Sequence, residues 1–284
     1  MAELFNRDIR LTAGPLTISP RTTTGEAQAV LAVEFDVVKT MDRAANTASI
    51  SIWNLKEANR TVLQEKGIEL VLEAGYVDEV VELFKGDIDK TTIRREATDW
   101  VVTLETLDGG RALKSARVNK SLRGPQGAGN VLKQAAEALG LDIGNLKEQV
   151  SADGARSVLK QFVSGVVLSG KAEDVVAEVA SSLGLNFSVQ SKKLQFLPTS
   201  GSTSARATSE PPAQLNSTSG LIGSPSIGEK GTVKAASLLN GRITPGRRVT
   251  LQSAVVSGTF IAQKVHHKGA TWGADWTTSL ELLP

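Results

Sequence analysis

Two stretches near the start of the chain alternate apolar and polar side chains with a period of two, and this narrows the possible folds more than any other feature. "VLAVEFDVVK" (30–39) and "TASISIWNL" (47–55) are both rich in β-branched residues, so each reads as a strand with one buried face. "TMDRAAN" between them reads as a long hairpin connection. Next, "LKEANRTVLQEKG" has helical spacing, with Leu55, Ala58, Val62 and Leu63 on one side, Asn54 as the expected N-cap and Gly67 as the stop. Strand patterns resume at "IELVLEAGY", "VVELFKGDIDKTTI" and "DWVVTLETL". Helices do not alternate with every strand, which argues against βαβ units and for a mainly antiparallel barrel or sandwich carrying one helix.

The middle of the chain changes character. "AGNVLKQAAEALGLDI" and "AEDVVAEVASSLGLNF" align with each other, matching Val131 with Val175, Ala136 with Ala180, and Leu139-Gly140-Leu141 with Leu183-Gly184-Leu185. Each predicts an amphipathic helix closed by a glycine and followed by a strand. Two copies are too few for a solenoid, so a small α+β insertion is expected. "PTSGSTSARATSEPPAQLNSTSG" (198–220) has the composition of a linker and predicts early proteolysis near Arg206. Strands return at "GTVKAASLL", "RRVTLQS", "GTFIAQKVHH" and "DWTTSLELL". The expected organisation is a first β region at 1–115, the insertion at 116–197, the linker at 198–220 and further strands at 221–284.

A chain of 284 residues is long enough for two modest domains or one large one. It contains no cysteine, which removes disulfide and thiol chemistry. No apolar run is long enough to cross a membrane, and "MAELFNRDIRLTAG" lacks the pattern of a secretory signal, so neither membrane insertion nor ordinary export is expected. The net charge of +2 argues against general nucleic-acid binding, but the charge is unevenly placed. Residues 1–115 carry 19 acidic and 14 basic side chains and the remainder 11 and 18, giving −5 and +7. Such a split suits self-complementary assembly, or reflects ordinary variation in surface charge.

The sequence has no nucleotide-loop, dinucleotide, zinc-protease or serine-hydrolase signature. "GPQGAG" (124–129) lacks the lysine and hydroxyl of a nucleotide site and reads as a loop entering a helix. Both histidines, His266 and His267, are adjacent, so on a strand they point to opposite faces and cannot share one metal ion. Asp87 and Asp89 would share a strand face, as a glycosidase pair could, but their basic neighbours suit a solvated strand end. No catalytic residue, metal ligand or cofactor is assigned.

"SGLIGSPSIGEKGTVKAASLLNGRITPGRRVTLQS" with "GTFIAQKVHHKGATWGADWTTSLELL" resembles the C-terminal barrel of the baseplate hub proteins of contractile phage tails, the late control D protein-like family. "FDVVKTMDRAANTASISIWNLKEANR" is similar to the first, tail-tube-like barrel of the same family. The resemblance implies two tail-tube-like antiparallel β-barrels flanking a small α+β region. It also implies a non-enzymatic homotrimer whose six barrels form a ring, adapting the sixfold tail tube to the threefold central spike. Implied partners are the tail tube protein, the spike protein, and further the tape measure and baseplate wedge proteins. The implied location is the virion, after assembly in the cytoplasm of the host bacterium. The alternatives are a cell-wall-active or glycan-binding tail component and the hub of a tailocin or another contractile injection machine.

On this reading "HHKGATWGADW" connects the last two strands, with Gly269 and Gly273 permitting the turn and its tryptophans covering a barrel end or an interface. If acidic and basic barrels alternate around a ring, Asp78, Glu79 and Glu82 are candidates to meet Arg242, Arg247 and Arg248 of a neighbouring subunit.

Overall fold

The computed structural model describes residues 7–19, 31–65, 67–76, 79–145, 161–162, 165–199, 203 and 207–284. The first region contains β1 (Arg7–Ala13), β2 (Leu16–Ile18), β3 (Val33–Thr40), β4 (Thr47–Trp53), helix α1 (Glu57–Val62), β5 (Glu69–Tyr76), β6 (Glu79–Glu96), β7 (Asp99–Leu107) and helix α2 (Gly110–Ser115). The strands lie in the order β2-β1-β5-β6-β7-β4-β3, all antiparallel. Alternation in β3 buries Val33, Phe35 and Val37, which join Ile9, Leu11, Ile50, Ile52, Leu70 and Leu72 in one core. Every strand of this region gives a face to that single core, so the sheet curls around it.

Helix α1 begins after Lys56, not at Asn54. Asn54 instead adopts a left-handed conformation (φ 56°) and hydrogen-bonds Asp99 and Trp100, closing the edge of the β4–β7 pair. Strand β6 carries two register shifts. One makes Leu83 an extra residue against β5, so that Leu83 and Phe84 are both buried; the other makes Asp89 an extra residue against β7.

The middle region contains β8 (Arg117–Leu122), β9 (Gln126–Gly127), helix α3 (Ala128–Glu137), β10 (Asp142–Ile143), β11 (Gln161–Phe162), β12 (Val166–Lys171), helix α4 (Ala172–Ser182), β13 (Leu185–Gln190) and β14 (Lys193–Pro198). Both helices of the sequence repeat are present, each followed by a glycine with positive φ, Gly140 (66°) and Gly184 (72°). Val131, Leu132, Ala135 and Ala136 of α3 share a second core with Val176, Val179 and Ala180 of α4 and with Phe187 and Phe196 of the β13–β14 hairpin.

The last region contains β15 (Ala213–Leu215), β16 (Leu221–Ile227), a short 3-10 turn (Glu229–Gly231), β17 (Val233–Leu238), β18 (Arg248–Gln252), β19 (Ser257–Ala270) and β20 (Trp276–Leu283). A third core gathers Leu215, Val249, Leu251, Val265, Leu280 and Leu282. The stretch expected to be linker therefore includes a strand, β15, which pairs with β18 in parallel. Arg206 lies outside the described residues.

The fold is mainly β with an α+β insertion, and the two β regions are one hydrogen-bonded sheet. Strand β19 is long enough to serve two partners on one edge, β18 through Ser257–Ile261 and β3 through Lys264–Ala270, while β20 lines the other edge. The resulting sheet has 13 strands. Among the described residues its ladder ends at β2 and β16 and, on the branch through β18, at β15; the two β halves curl around separate cores within this shared sheet.

Candidate assembly surface

The β3–β19 seam brings the rare residues of the C-terminal passage into the first core. Trp276 is only 2% exposed and packs edge-on against Phe35 (5.8 Å between ring centres) and Tyr76 (6.3 Å), with the Arg7 guanidinium 5.2 Å from its ring. Gly269 lies in the ladder opposite Phe35 and Trp276, where an added Cβ would come within 2.3 Å of one ring and 2.9 Å of the other. Its role is thus close approach, whereas Gly273 (φ 108°) serves the turn. That turn is held by Arg7, which donates to the Gly273 carbonyl at 2.8 Å, and by Thr271, whose backbone N–H donates to Val33 at 2.9 Å. Its tip presents Trp272, 64% exposed.

The histidines point to opposite faces. His267 is buried, its Nδ1 is 2.9 Å from the Thr278 hydroxyl, and burial, with Lys39 and His266 nearby, holds its pKa down at about 3. His266 is half-buried on the outer face, its Nε2 2.7 Å from Asp36, whose other oxygen lies 3.3 Å from the Lys268 ammonium. No cluster able to hold a metal occurs among the described residues.

Lys39 occupies an inward position of β3 and is buried. Its ammonium donates to the Leu83 carbonyl at 3.2 Å, at the extra residue of the β6 bulge, and burial lowers its pKa against the opposing pull of Asp108 and Glu82. The same bulge receives the C-terminal half. A Cβ at Gly241 would come within 2.3 Å of a Leu83 methyl and 2.5 Å of a Val81 methyl, so a side chain here would have to displace them where the 239–243 loop docks.

The middle region is held differently, by the turn between β13 and β14. Ser191 and Lys192 have left-handed φ values of 53° and 61°, which aim both backbone N–H groups at Asp108, 2.7 Å from its carboxylate in each case. Asn46 donates to the Val189 carbonyl at 2.7 Å, Gln190 donates to the Thr40 carbonyl at 2.7 Å, and the Lys192 ammonium reaches Glu69 at 2.7 Å and Asp87 at 2.8 Å. Burial pushes the Asp108 pKa up, against the pull of these donors and of Lys39. The Lys192 pKa is raised, because its bonds to Asp87 and Glu69 outweigh the effect of burial.

The six candidate contact residues do not form one patch. Asp78 lies outside the described residues. Glu79 forms an ion pair with Arg242 within the same chain, joining the β5–β6 hairpin to the 239–243 loop. Arg247 pairs with Glu210 at 3.4 Å and donates to the Pro211 carbonyl, and Arg248 donates to the Glu210 carbonyl at 3.3 Å, so both hold the segment before β15. Glu82 is exposed. Asp87 and Asp89 do not act as a pair, since the bulge between them sends Asp87 to Lys192 and Asp89 to Lys114 at 3.8 Å. "GPQGAG" forms β9 and leads into α3.

Sequence reasoning missed the junction residues Lys39, Asn46, Asp108 and Gln190. One signal was available: in the period-two pattern of β3, Lys39 has the parity of Val33, Phe35 and Val37, and a polar residue at a core position calls for a buried partner.

No family model matches the sequence, and no curated protein does. Solved structures do match, along nearly the whole chain. The 43 kDa tail protein of prophage MuSo2 from Shewanella oneidensis has a TM-score of 0.64 at 8% identity, over 98% of this chain and 97% of that one. The tail protein of Neisseria meningitidis MC58 has a TM-score of 0.63 at 10% identity, covering 98% and 96%. An Escherichia coli component of the type VI secretion system, itself structurally similar to the T4 phage tail proteins gp27 and gp5, has a TM-score of 0.58 at 11% identity, covering 96% and 76%. The chain therefore has the fold of phage-tail and type VI secretion proteins.

Proposed function

We propose that this chain is a structural, non-enzymatic hub in the baseplate of a contractile phage tail. Three copies form a ring that adapts the sixfold tail tube to the threefold spike. The observation that carries the reading is the fused sheet: one chain holds two curled β halves locked edge to edge through β3 and β19, so three chains supply six such halves. A closed ring of three needs a heterologous interface, with different patches on the two sides of each subunit. The charge split, −5 on residues 1–115 against 7 basic and 3 acidic side chains (+4) on residues 221–284, supports alternation of first and last regions around it.

The partners in this reading are the tail tube and spike proteins along the axis, then the tape measure and wedge proteins, and the location is the virion. No helix among the described residues is long and apolar enough to cross a membrane. The likeness to a type VI secretion component supports a second reading, the hub of a cellular contractile injection machine. Electron microscopy of particles made with and without the chain distinguishes these proposals from a peripheral role. A hub is expected at the tube–spike junction, and its loss should abolish baseplate assembly. Particles that assemble intact without the chain would contradict the reading.

A further inference from the structure

The outer face of the last β region carries a trough whose shape follows from one row of the ladder. Ile222 on β16, Ala236 on β17, Ser279 on β20 and His266 on β19 lie in register across four adjacent strands. Two large side chains thus flank two small ones, and the row sinks in the middle. The next row on this face places Lys234 and Lys264 on either side of Glu281. Neither lysine has an ion-pair partner among the described residues, whereas Arg242, Arg247 and Lys268 are each spent within the chain. The trough has a volume of about 360 Å³, and Ile222 on its wall is 42% exposed.

The edge beside the trough is unsuited to strand addition. Strand β16 has its ladder to β17 interrupted between Ile222 and Ser226, with Gly223 left-handed (φ 65°) and Pro225 lacking an N–H. A bulge and a proline are the devices that blunt a sheet edge. An apolar residue exposed beside such an edge is placed for contact between side-chain faces.

We infer that this trough is the basic side of the contact between copies of the chain, and that it receives the acidic first region of a second copy. The inference rests on the proposed assembly. It assigns the contact to Ile222, Lys234 and Lys264 in place of the arginines; residues 221–284 carry 7 basic and 3 acidic side chains, a surplus of +4, and the −5 on residues 1–115 makes the first region the complementary occupant.

The test is sedimentation of the full-length chain at low and high salt, for the parent, K234E/K264E and A236R, with thermal melting to confirm folding. The substituted side chains lie on the outer face, so unchanged melting is expected. The parent should reach three times the 30.0 kDa chain mass. K234E/K264E should weaken association at least tenfold at low salt, with the difference shrinking as salt screens it, and A236R, which fills the trough, should weaken it at both. If the parent forms the trimer and both variants match it, the trough assignment fails while the assembly stands. If the parent stays at one chain mass at every concentration, both fail. If it forms a dimer that the variants break, the trough stands and the threefold reading fails.

Discussion

Where β3 meets β19, the two β halves are held by seven ladder pairs, an interior tryptophan and a contact so close that only glycine fits. Where the Ser191–Lys192 turn meets the first region, the hold is a carboxylate, two side-chain amides and a lysine between two acids. Apolar burial is not screened by dissolved ions as a charge pair is, and it is lost only when the core opens. A polar joint depends on every donor and acceptor finding its partner, because an unmet one pays its full desolvation cost. The seam therefore reads as the permanent joint of the molecule, and the turn as the one that sets the orientation of 116–197.

The largest effect should come from the seam. Trp276→Ala removes a buried ring from the first core and is expected to cost about 3–5 kcal/mol, measured by denaturant unfolding, and to loosen amide exchange in β3 and β19 together. If only the last region loosened, the two halves would be independent and the fused-sheet account would fail.

At the other joint, Asp108→Ala leaves the Ser191 and Lys192 amides without an acceptor and should cost about 1–3 kcal/mol per orphaned donor. Exchange at these two amides and along β13 should accelerate, with β3–β19 protection unchanged. Equal loosening of the seam would show that the two joints are not separable.

Acid should act on the joints in opposite senses. The unfolded chain binds a proton at His267 near the ordinary value of 6.5, but the folded chain does so only at about 3. Stability contributed here is present above 6.5 and is lost as pH falls through that window, amounting to about 2 kcal/mol between pH 7 and pH 5. For Asp108, whose folded pKa is raised, the folded state binds the extra proton, so its own titration favours folding as pH falls. Unfolding as a function of pH should therefore show an acid limb that His267→Gln flattens. An unchanged limb in that variant would remove His267 from the account.

The smallest effect belongs to the surface pair between the halves. Glu79→Gln breaks the ion pair with Arg242, whose side chains are 38% and 61% exposed, and should cost no more than about 1 kcal/mol, vanishing at high salt. A larger or salt-insensitive loss would mean that the seam alone does not hold the halves together.

The seam and the turn also differ in how far the sequence reveals them. The strands were legible because a period of two survives in β3, β4 and β20, and the two helices because they repeat with a glycine at each end. The shared sheet was not legible, since nothing in "GTFIAQKVHHKGA" says that one edge of a strand divides between two partners. The polar joint was hidden for another reason. Asn46, Asp108 and Gln190 are far apart in sequence and each reads locally as a turn residue; only the fold brings them to one place. The bulges at Leu83 and Asp89 defeated the alternation rule, which assumes an unbroken register and so placed Asp87 and Asp89 on one strand face. Charge alone also could not show that the fused sheet brings Arg242 to Glu79 within one chain.

The central claim is that one chain supplies two joined β halves and that three chains close a ring. Averaged electron micrographs of the purified assembly, with its mass measured in parallel, test this most directly. The account predicts threefold rings of six β densities at three times 30.0 kDa, about 90 kDa. A stable two-fold dimer, or a ring in which each density is a separate chain, would contradict it.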